Sequence, residues 1–375
     1  MTQKYLRGLI GVFVLLLGLF IGMSACSISR QSRMTMHPMF PILQQLQREQ
    51  PELALERPAP ETPALRAYRE YYGLTFAGSQ HLWGMFDSGA YRLAAHIFLP
   101  PQPKGTVFVL HGYLDHTGML RHLIRACLEQ QWVVVTYDLP GHGLSSGERA
   151  SISSFDEYRR TLEDMLAATM PALPRPYALI SHSTGGAIAL TYLRSHPVQP
   201  FTRIIFLAPL VRYAHWHLAK LGYALGKPLR LRTVPRRYSD SLGDPAFAAF
   251  MKSDPLQTDR VPLKWVGAVF DWNSDMRNAP AIVSPALIIQ GKRDDVVDWK
   301  YNLPFLRKKL PQAQMYWIDA AGHQLANETP DIRADVFKKI AAYLDTSDVH
   351  RTYADPAPAP PQSGEERTRR FFSLP

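Results

Sequence analysis

Between about residues 65 and 348 the chain repeats one pattern: short, nearly continuous apolar runs separated by longer stretches in which apolar residues recur at helical spacing. The runs at 107–110, 132–137, 177–180, 204–207, 286–289 and 315–318 are too short for buried helices and lack the alternation of a strand with one wet face. They predict strands buried on both faces. Helix signals fall between them. Ser154 with Glu157 forms a capping box and Pro171 closes that helix, while a second helix runs from Thr184 to just before Pro197. Ahead of the series, 82–98 reads as an antiparallel pair turning at Asp87, Ser88 and Gly89. The alternation predicts an α/β fold, a mostly parallel central sheet with helices on both faces. Ligands then lie beyond the carboxyl ends of the strands.

The turns at those ends carry the chemistry. The run at 177–180 leads into Ser181-His182-Ser183-Thr184-Gly185-Gly186, which opens directly into a helix. A nucleophile at such a strand-to-helix elbow sits on strained backbone, so the residues two before and two after it must be small, as Ser181 and Gly185 are. A serine hydroxyl is a weak nucleophile at neutral pH and needs a histidine base oriented by an acid. Gln290-Gly291-Lys292-Arg293-Asp294-Asp295 follows one strand and Ala321-Gly322-His323 follows the last. The order Ser, Asp, His is that of α/β-hydrolases. By contrast, His111 and His142 read as loop-shaping hydrogen-bonding groups, His182 as pointing away from the nucleophile, Asp138 as structural, Asp298 as a helix cap and Cys127 as a packed thiol. No histidine and carboxylate set has metal-ligand spacing and no Gly-rich phosphate loop is present, so neither a metal nor a cofactor is expected.

The run His111-Gly112-Tyr113, then 138–147 (Asp-Leu-Pro-Gly-His-Gly-Leu-Ser-Ser-Gly), then 181–186 and the Asp294 and His323 turns resembles the monoacylglycerol lipase and lysophospholipase group of α/β-hydrolases, which is serine aminopeptidase S33-like. The resemblance spans about residues 80 to 345. It implies Ser183 as nucleophile, Asp294 as acid in preference to the adjacent Asp295, and His323 as base, with the backbone N–H groups of Tyr113 and Thr184 as oxyanion hole. One departure is Ser181, where the family elbow usually has Gly. The resemblance also implies that an insertion at about 210–280, rich in aromatic residues such as Tyr213, Trp216 and Trp265, forms a cap over the site. Its basic stretch, Lys227, Arg230, Arg232, Arg236 and Arg237, reads either as a solvated face or as a surface for phosphate headgroups. The expected activity is hydrolysis of lipid-like esters, monoacylglycerols or lysophospholipids, through an acyl-enzyme. Two alternatives stand beside it. An aminopeptidase of the same fold would need cap carboxylates, for which Asp254, Asp259, Asp271 and Asp275 are candidates; a non-catalytic tethered binding protein would need no triad.

Charge and the termini bear on location. The net charge of +10 is carried by residues 1–33, at +4, and residues 211–240, at +6, each beside apolar or aromatic residues. That suits an anionic membrane surface better than nucleic acid, which is not an expected partner. Two cysteines, Cys26 and Cys127, exclude a disulfide framework. Residues 1–29 read as an export segment: Lys4 and Arg7, an apolar run, then Met23-Ser24-Ala25-Cys26, which resembles a bacterial lipobox. Lipidation at Cys26, with Ser27 next to it, places the protein in the cell envelope, at the outer membrane; the alternative is an uncleaved transmembrane anchor. Residues 30–64, with six prolines, read as a Pro-rich tether, 65–348 as the hydrolase domain and 349–375 as a disordered tail. Oligomeric state is not legible.

Overall fold

The computed structural model describes residues 37–56, 59–239 and 243–345, so the export segment and the tail expected from the sequence lie outside the described residues. Ten strands follow one another among those residues: β1 (Gln80–Ser88), β2 (Tyr91–Leu99), β3 (Gly105–Leu110), β4 (Trp132–Tyr137), β5 (Tyr177–His182), β6 (Phe201–Leu207), β7 (Thr233–Pro235), β8 (Arg260–Pro262), β9 (Ala286–Gly291) and β10 (Ala313–Ile318). The helices are α1 (Phe40–Glu49), α2 (Pro63–Tyr72), α3 (Arg121–Glu129), α4 (Phe155–Thr169), α5 (Thr184–Ser195), α6 (Trp216–Gly226), α7 (Pro245–Ser253), α8 (Leu263–Asn278), α9 (Trp299–Lys309) and α10 (Pro330–Asp345). Eight strands form one sheet in the order β1-β2-β4-β3-β5-β6-β9-β10. From β4 to β10 every pairing is parallel, whereas β2 runs antiparallel to both β1 and β4.

Alternation along each strand divides the core in two, because successive side chains point to opposite faces. Tyr177 and Leu179 face α4, α5 and α8, while Ala178 and Ile180 face α3, α7 and α10. Every residue of β3, β4, β5 and β9 is buried, as a strand covered on both faces must be. β10 departs from that expectation. It is the last strand of the sheet, and Trp317 is 42% exposed there. The expected turn at Asp87, Ser88 and Gly89 is shifted. Asp87 and Ser88 pair with Arg92 and Tyr91, which leaves Gly89 and Ala90 as a two-residue turn. Parallel register aligns the strand ends, with Leu110 beside Ser181, His182 beside Leu207, Leu207 beside Ile289, and Gly291 beside Ile318. The turns after β3, β5, β9 and β10 therefore open along one edge.

Two expectations need correction. Residues 37–56 are not a solvated tether. Pro41 sits in the first turn of α1, where its missing N–H costs nothing, and Met39, Leu43 and Leu46 are buried against α2 and the sheet face beneath. α2 begins at Pro63, its N-cap Thr62 accepting from the Leu65 N–H, and buries Tyr68 and Tyr72 completely. The hydroxyl of Tyr72 donates to Asp254 Oδ1 at 2.6 Å, and Asp254 Oδ2 lies 2.9 Å from His116 Nε2, all three side chains being buried. A pattern of prolines around one short amphipathic turn hid this helix pair. The second correction concerns the insertion. Only the start of α8 covers the site, through Leu263, Trp265 and Val266; further along, Trp272 donates to Thr191 Oγ1 at 2.8 Å and stacks on Phe155, and Val269 and Met276 are fully buried in the core.

Because Leu46 is 1% exposed, Leu46→Ala should lower unfolding stability by about 2–4 kcal/mol, read by denaturant titration of the purified protein. A segment hanging in solvent would show no change.

Candidate active site

The turn after β5 places Ser183 on backbone that few non-glycine residues adopt, with φ 52° and ψ −114°. Hydrogen bonds hold it there: the Ser183 N–H donates to Leu207 O at 3.0 Å, and Ser183 O accepts from the N–H groups of Gly186 and Leu210, each at 2.9 Å. The elbow also needs contact that a side chain would block. A Cβ at Gly185 would stand 2.6 Å from Leu110 O, so glycine lets α5 press against the end of β3. Ser181, in place of the family's glycine, is fully buried and donates to Ile205 O at 3.2 Å, which satisfies its hydroxyl inside the sheet.

The three distant turns converge. Ser183 Oγ lies 3.0 Å from His323 Nε2, and His323 Nδ1 lies 2.8 Å from Asp294 Oδ2. A carboxylate only accepts, so Nδ1 carries the proton and donates to Asp294, leaving Nε2 to accept from the serine hydroxyl. Asp294 is further held by Gln290 Nε2, at 2.8 Å to Oδ2, and by the N–H groups of Val296 and Val297, at 2.9 and 3.0 Å to Oδ1. Burial alone would raise the Asp294 pKa, but the facing imidazole and these donors hold it below the ordinary value. Burial would likewise lower that of His323, yet the Asp294 carboxylate, with Asp115 and Asp295 beyond it, holds it above the ordinary value. Asp295 instead faces the pocket and is bonded by the Ser239 hydroxyl.

Tyr113 and Thr184 flank the serine. Thr184 opens α5, where the first N–H groups have no intrahelical partner. Tyr113 is fixed through its side chain, its hydroxyl donating to Ala150 O at 2.7 Å and its ring stacking on Trp265. The remaining polar groups serve the loops. His111 accepts from the Leu139 N–H, His142 bonds Pro140 O, and Asp138 accepts from the Thr117 and Leu144 N–H groups. Asp298 caps α9 through the Tyr301 N–H. Cys127 is 1% exposed, and burial pushes its thiol up to about 12. His182 is directed to partners other than the serine hydroxyl: Nε2 donates to His323 O at 3.1 Å and Nδ1 lies 3.6 Å from Asp115 Oδ2. Asp115 and Gln290 were not singled out from the sequence. Asp115, an acid between His111 and His116 in the turn after β3, was the visible signal.

Above the serine lies a cavity of about 560 Å³. Its walls come from the turns after β3 and β6, from α6, from the antiparallel pair β7 and β8 and from the start of α8, through side chains such as Tyr113, Leu210, Tyr223, Val234, Val261 and Trp265. The four candidate acids of the insertion stand elsewhere: Asp254 is consumed by Tyr72 and His116, Asp259 is half-buried outside the cavity lining, and Asp271 and Asp275 are exposed on α8.

Residues 101–330 match the family model described as serine aminopeptidase, S33. Over 220 residues the chain is 28% identical to the monoacylglycerol lipase of Mycolicibacterium smegmatis, covering 56% of this chain and 77% of that protein. It is also 28% identical over 256 residues to human monoglyceride lipase, covering 64% and 82%. A soluble variant of monoglyceride lipase from Saccharomyces cerevisiae, solved with a substrate analog, superimposes with a TM-score of 0.61 at 19% identity, over 72% of this chain and 96% of that one. α1 and α2 lie ahead of the family match.

Gly185→Ala should destabilise the fold by about 1–3 kcal/mol through overpacking at the elbow, measured as a lowered melting temperature.

Proposed function

The chain belongs to the serine aminopeptidase, S33, family, as an α/β-hydrolase of the monoacylglycerol lipase group, and from that premise we propose that it cleaves lipid-like carboxylic esters at a membrane through an acyl-enzyme on Ser183. One observation carries the reading: a hydroxyl, imidazole and carboxylate in hydrogen-bonded sequence at the floor of a largely apolar cavity. His323 takes the Ser183 proton as Oγ attacks the ester carbonyl, and Asp294 stabilises the imidazolium that forms. The N–H groups of Tyr113 and Thr184 receive the oxyanion. Collapse expels the alcohol, protonated by His323, and water, activated by the same imidazole, releases the fatty acid. The size and apolar lining of the cavity support monoacylglycerols or lysophospholipids as substrates. The carboxylates that line the cavity, Asp115 and Asp295, come from outside the insertion and face Gln324, His182 and Ser239, which favours an ester over a substrate bound through an α-amino group.

The membrane reading rests on α6. One side of it, through Ala219 and Tyr223, lines the cavity, while Leu218, Leu221 and Leu225, with Leu229 beyond the helix, are 57–71% exposed. Lys220, Lys227, Arg230 and Arg232 are exposed around them. Apolar side chains ringed by cations match the interface of an anionic bilayer. An acyl chain leaving the bilayer at α6 enters the cavity on its other side. Among the described residues no helix is long and apolar enough to cross a membrane. Attachment is assigned to residues 1–29, through lipidation of Cys26 at the cell envelope, and mass spectrometry of the mature amino terminus tests it.

Ser183→Ala should reduce hydrolysis of monoacylglycerol by about 10⁴-fold or more while the melting temperature stays near wild type. An aminoacyl-naphthylamide assay run in parallel separates esterase from peptidase; turnover of the amide alone would reverse the assignment. Since a neutral His323 is required and its pKa is raised, activity should fall on the acid side with a midpoint above the ordinary histidine value of about 6.5, read from the pH profile of kcat/KM. Leu221→Glu combined with Leu225→Glu should weaken sedimentation with anionic phosphatidylglycerol vesicles by about tenfold or more, with turnover of a soluble short-chain ester unchanged.

A further inference from the structure

The proposed triad accounts for one carboxylate beside His323, but a second is built into the same wall. Asp115 lies in the turn after β3, is 4% exposed, and has no lysine or arginine bonded to it among the described residues. Its Oδ2 accepts from Gln324 Nε2 at 3.2 Å and faces His182 Nδ1 at 3.6 Å. The other nitrogen of His182 donates to the main-chain carbonyl of His323 at 3.1 Å. Both neighbours of Asp115 thus belong to the machinery, His182 as the residue before Ser183 and Gln324 as the residue after His323.

The convergence is close enough to dictate a residue. A Cβ at Gly112 would stand 2.9 Å from His182 Nδ1, 3.2 Å from Asp115 Oδ2 and 3.2 Å from the Ser183 Cβ. Glycine there is what allows the oxyanion turn, the elbow and the acid to meet at one point. A buried carboxylate left without a cation costs stability unless neighbouring donors and positive charge offset it. Burial would raise the Asp115 pKa, but His182, and then His111 and Gln324, hold it well below the ordinary value, so it is a charged group at working pH.

We infer that Asp115 is a positioning residue: acting through His182 and Gln324, it clamps the His323 turn against the elbow and sets a second negative charge beside the base. This rests on the serine-hydrolase reading above. The clamp grips His323 from two sides, the carbonyl through His182 and the following side chain through Gln324, so the imidazole is presented to Ser183 Oγ with little freedom to turn. The charge also acts on the base. The groups facing His323 are Asp294 on its Nδ1 side, Asp115 and Asp295 beyond it, and the His182 ring at a centroid distance of 4.8 Å, while Glu328 accepts from the Gly322 N–H behind the turn. Removing one of the three aspartate charges makes the imidazolium less favourable.

The test is the pH dependence of kcat/KM and the separate kcat and KM values for a soluble p-nitrophenyl ester, using the full chain as wild type, Ser183→Ala, Asp115→Asn, Asp115→Glu and His182→Asn. Wild-type turnover that disappears in Ser183→Ala establishes the parent reading first; turnover that survives it overturns that reading and this inference together. For Asp115→Asn the expected result is a loss of about tenfold in kcat with KM within about twofold, from a misplaced base. The acid-side midpoint should also move down by about half a pH unit, and Asp115→Glu should restore it. A merely structural role would lower the melting temperature without moving the midpoint. A folded Asp115→Asn enzyme with wild-type kcat and midpoint overturns the inference. Should Asp115→Asn fail to fold, His182→Asn decides: a kcat loss of about tenfold supports the clamp, and unchanged kcat overturns it.

Discussion

Everything at the site depends on backbone held where it would not rest by itself. Ser183 at φ 52° is kept there by the amide and carbonyl contacts to Leu207, Leu210 and Gly186, and those contacts exist because β5, β6 and β9 end in register. The local cost, of the order of 1–3 kcal/mol, is borne by a sheet whose central strands are buried on both faces. That arrangement lifts the hydroxyl clear of the sheet. It also leaves the Thr184 N–H in the open first turn of α5.

Where a feature is local or strictly periodic, the residues announced it. The six apolar runs became strands within a few residues of their expected limits, and Ser154 with Glu157 capped α4 as the pattern requires. The three distant turns were legible because an elbow restricts residue size at 181 and 185 and because strand order fixes where the turns open. Asp294 could be separated from Asp295 only by resemblance, since adjacency gives both the same chemistry. The structure distinguishes them physically: one accepts four donors in the interior, the other lies against the cavity and Ser239.

What stayed hidden depends on contacts between segments far apart in the chain. α1 shows a single amphipathic face among prolines, and nothing local reveals that Leu43 and Leu46 find a partner in α2. The insertion was read as one roof because its aromatic residues look alike in sequence. In space, Trp265 stacks on Tyr113 at the cavity while Trp272, seven residues later, is bonded to Thr191 in the core. The His182–Asp115 contact was equally invisible, since His182 is local to the elbow and Asp115 is local to a different turn.

The buried cluster of Tyr72, Asp254 and His116 ties the end of α7 to α2 and to the turn after β3. Asp254 follows α7, and pulling it away would strand a desolvated carboxylate, at a cost of about 3–5 kcal/mol. The opposite margin, formed by α6, is held by the buried Trp216 and presents Leu218, Leu221 and Leu225 outward. The wall of the cavity is therefore tied by buried polar bonds on the α7 side and by aromatic packing of Trp216 and Tyr223 on Phe270 on the α6 side. The polar tie includes α2, so a segment that precedes the family match is built into the support of the cavity wall.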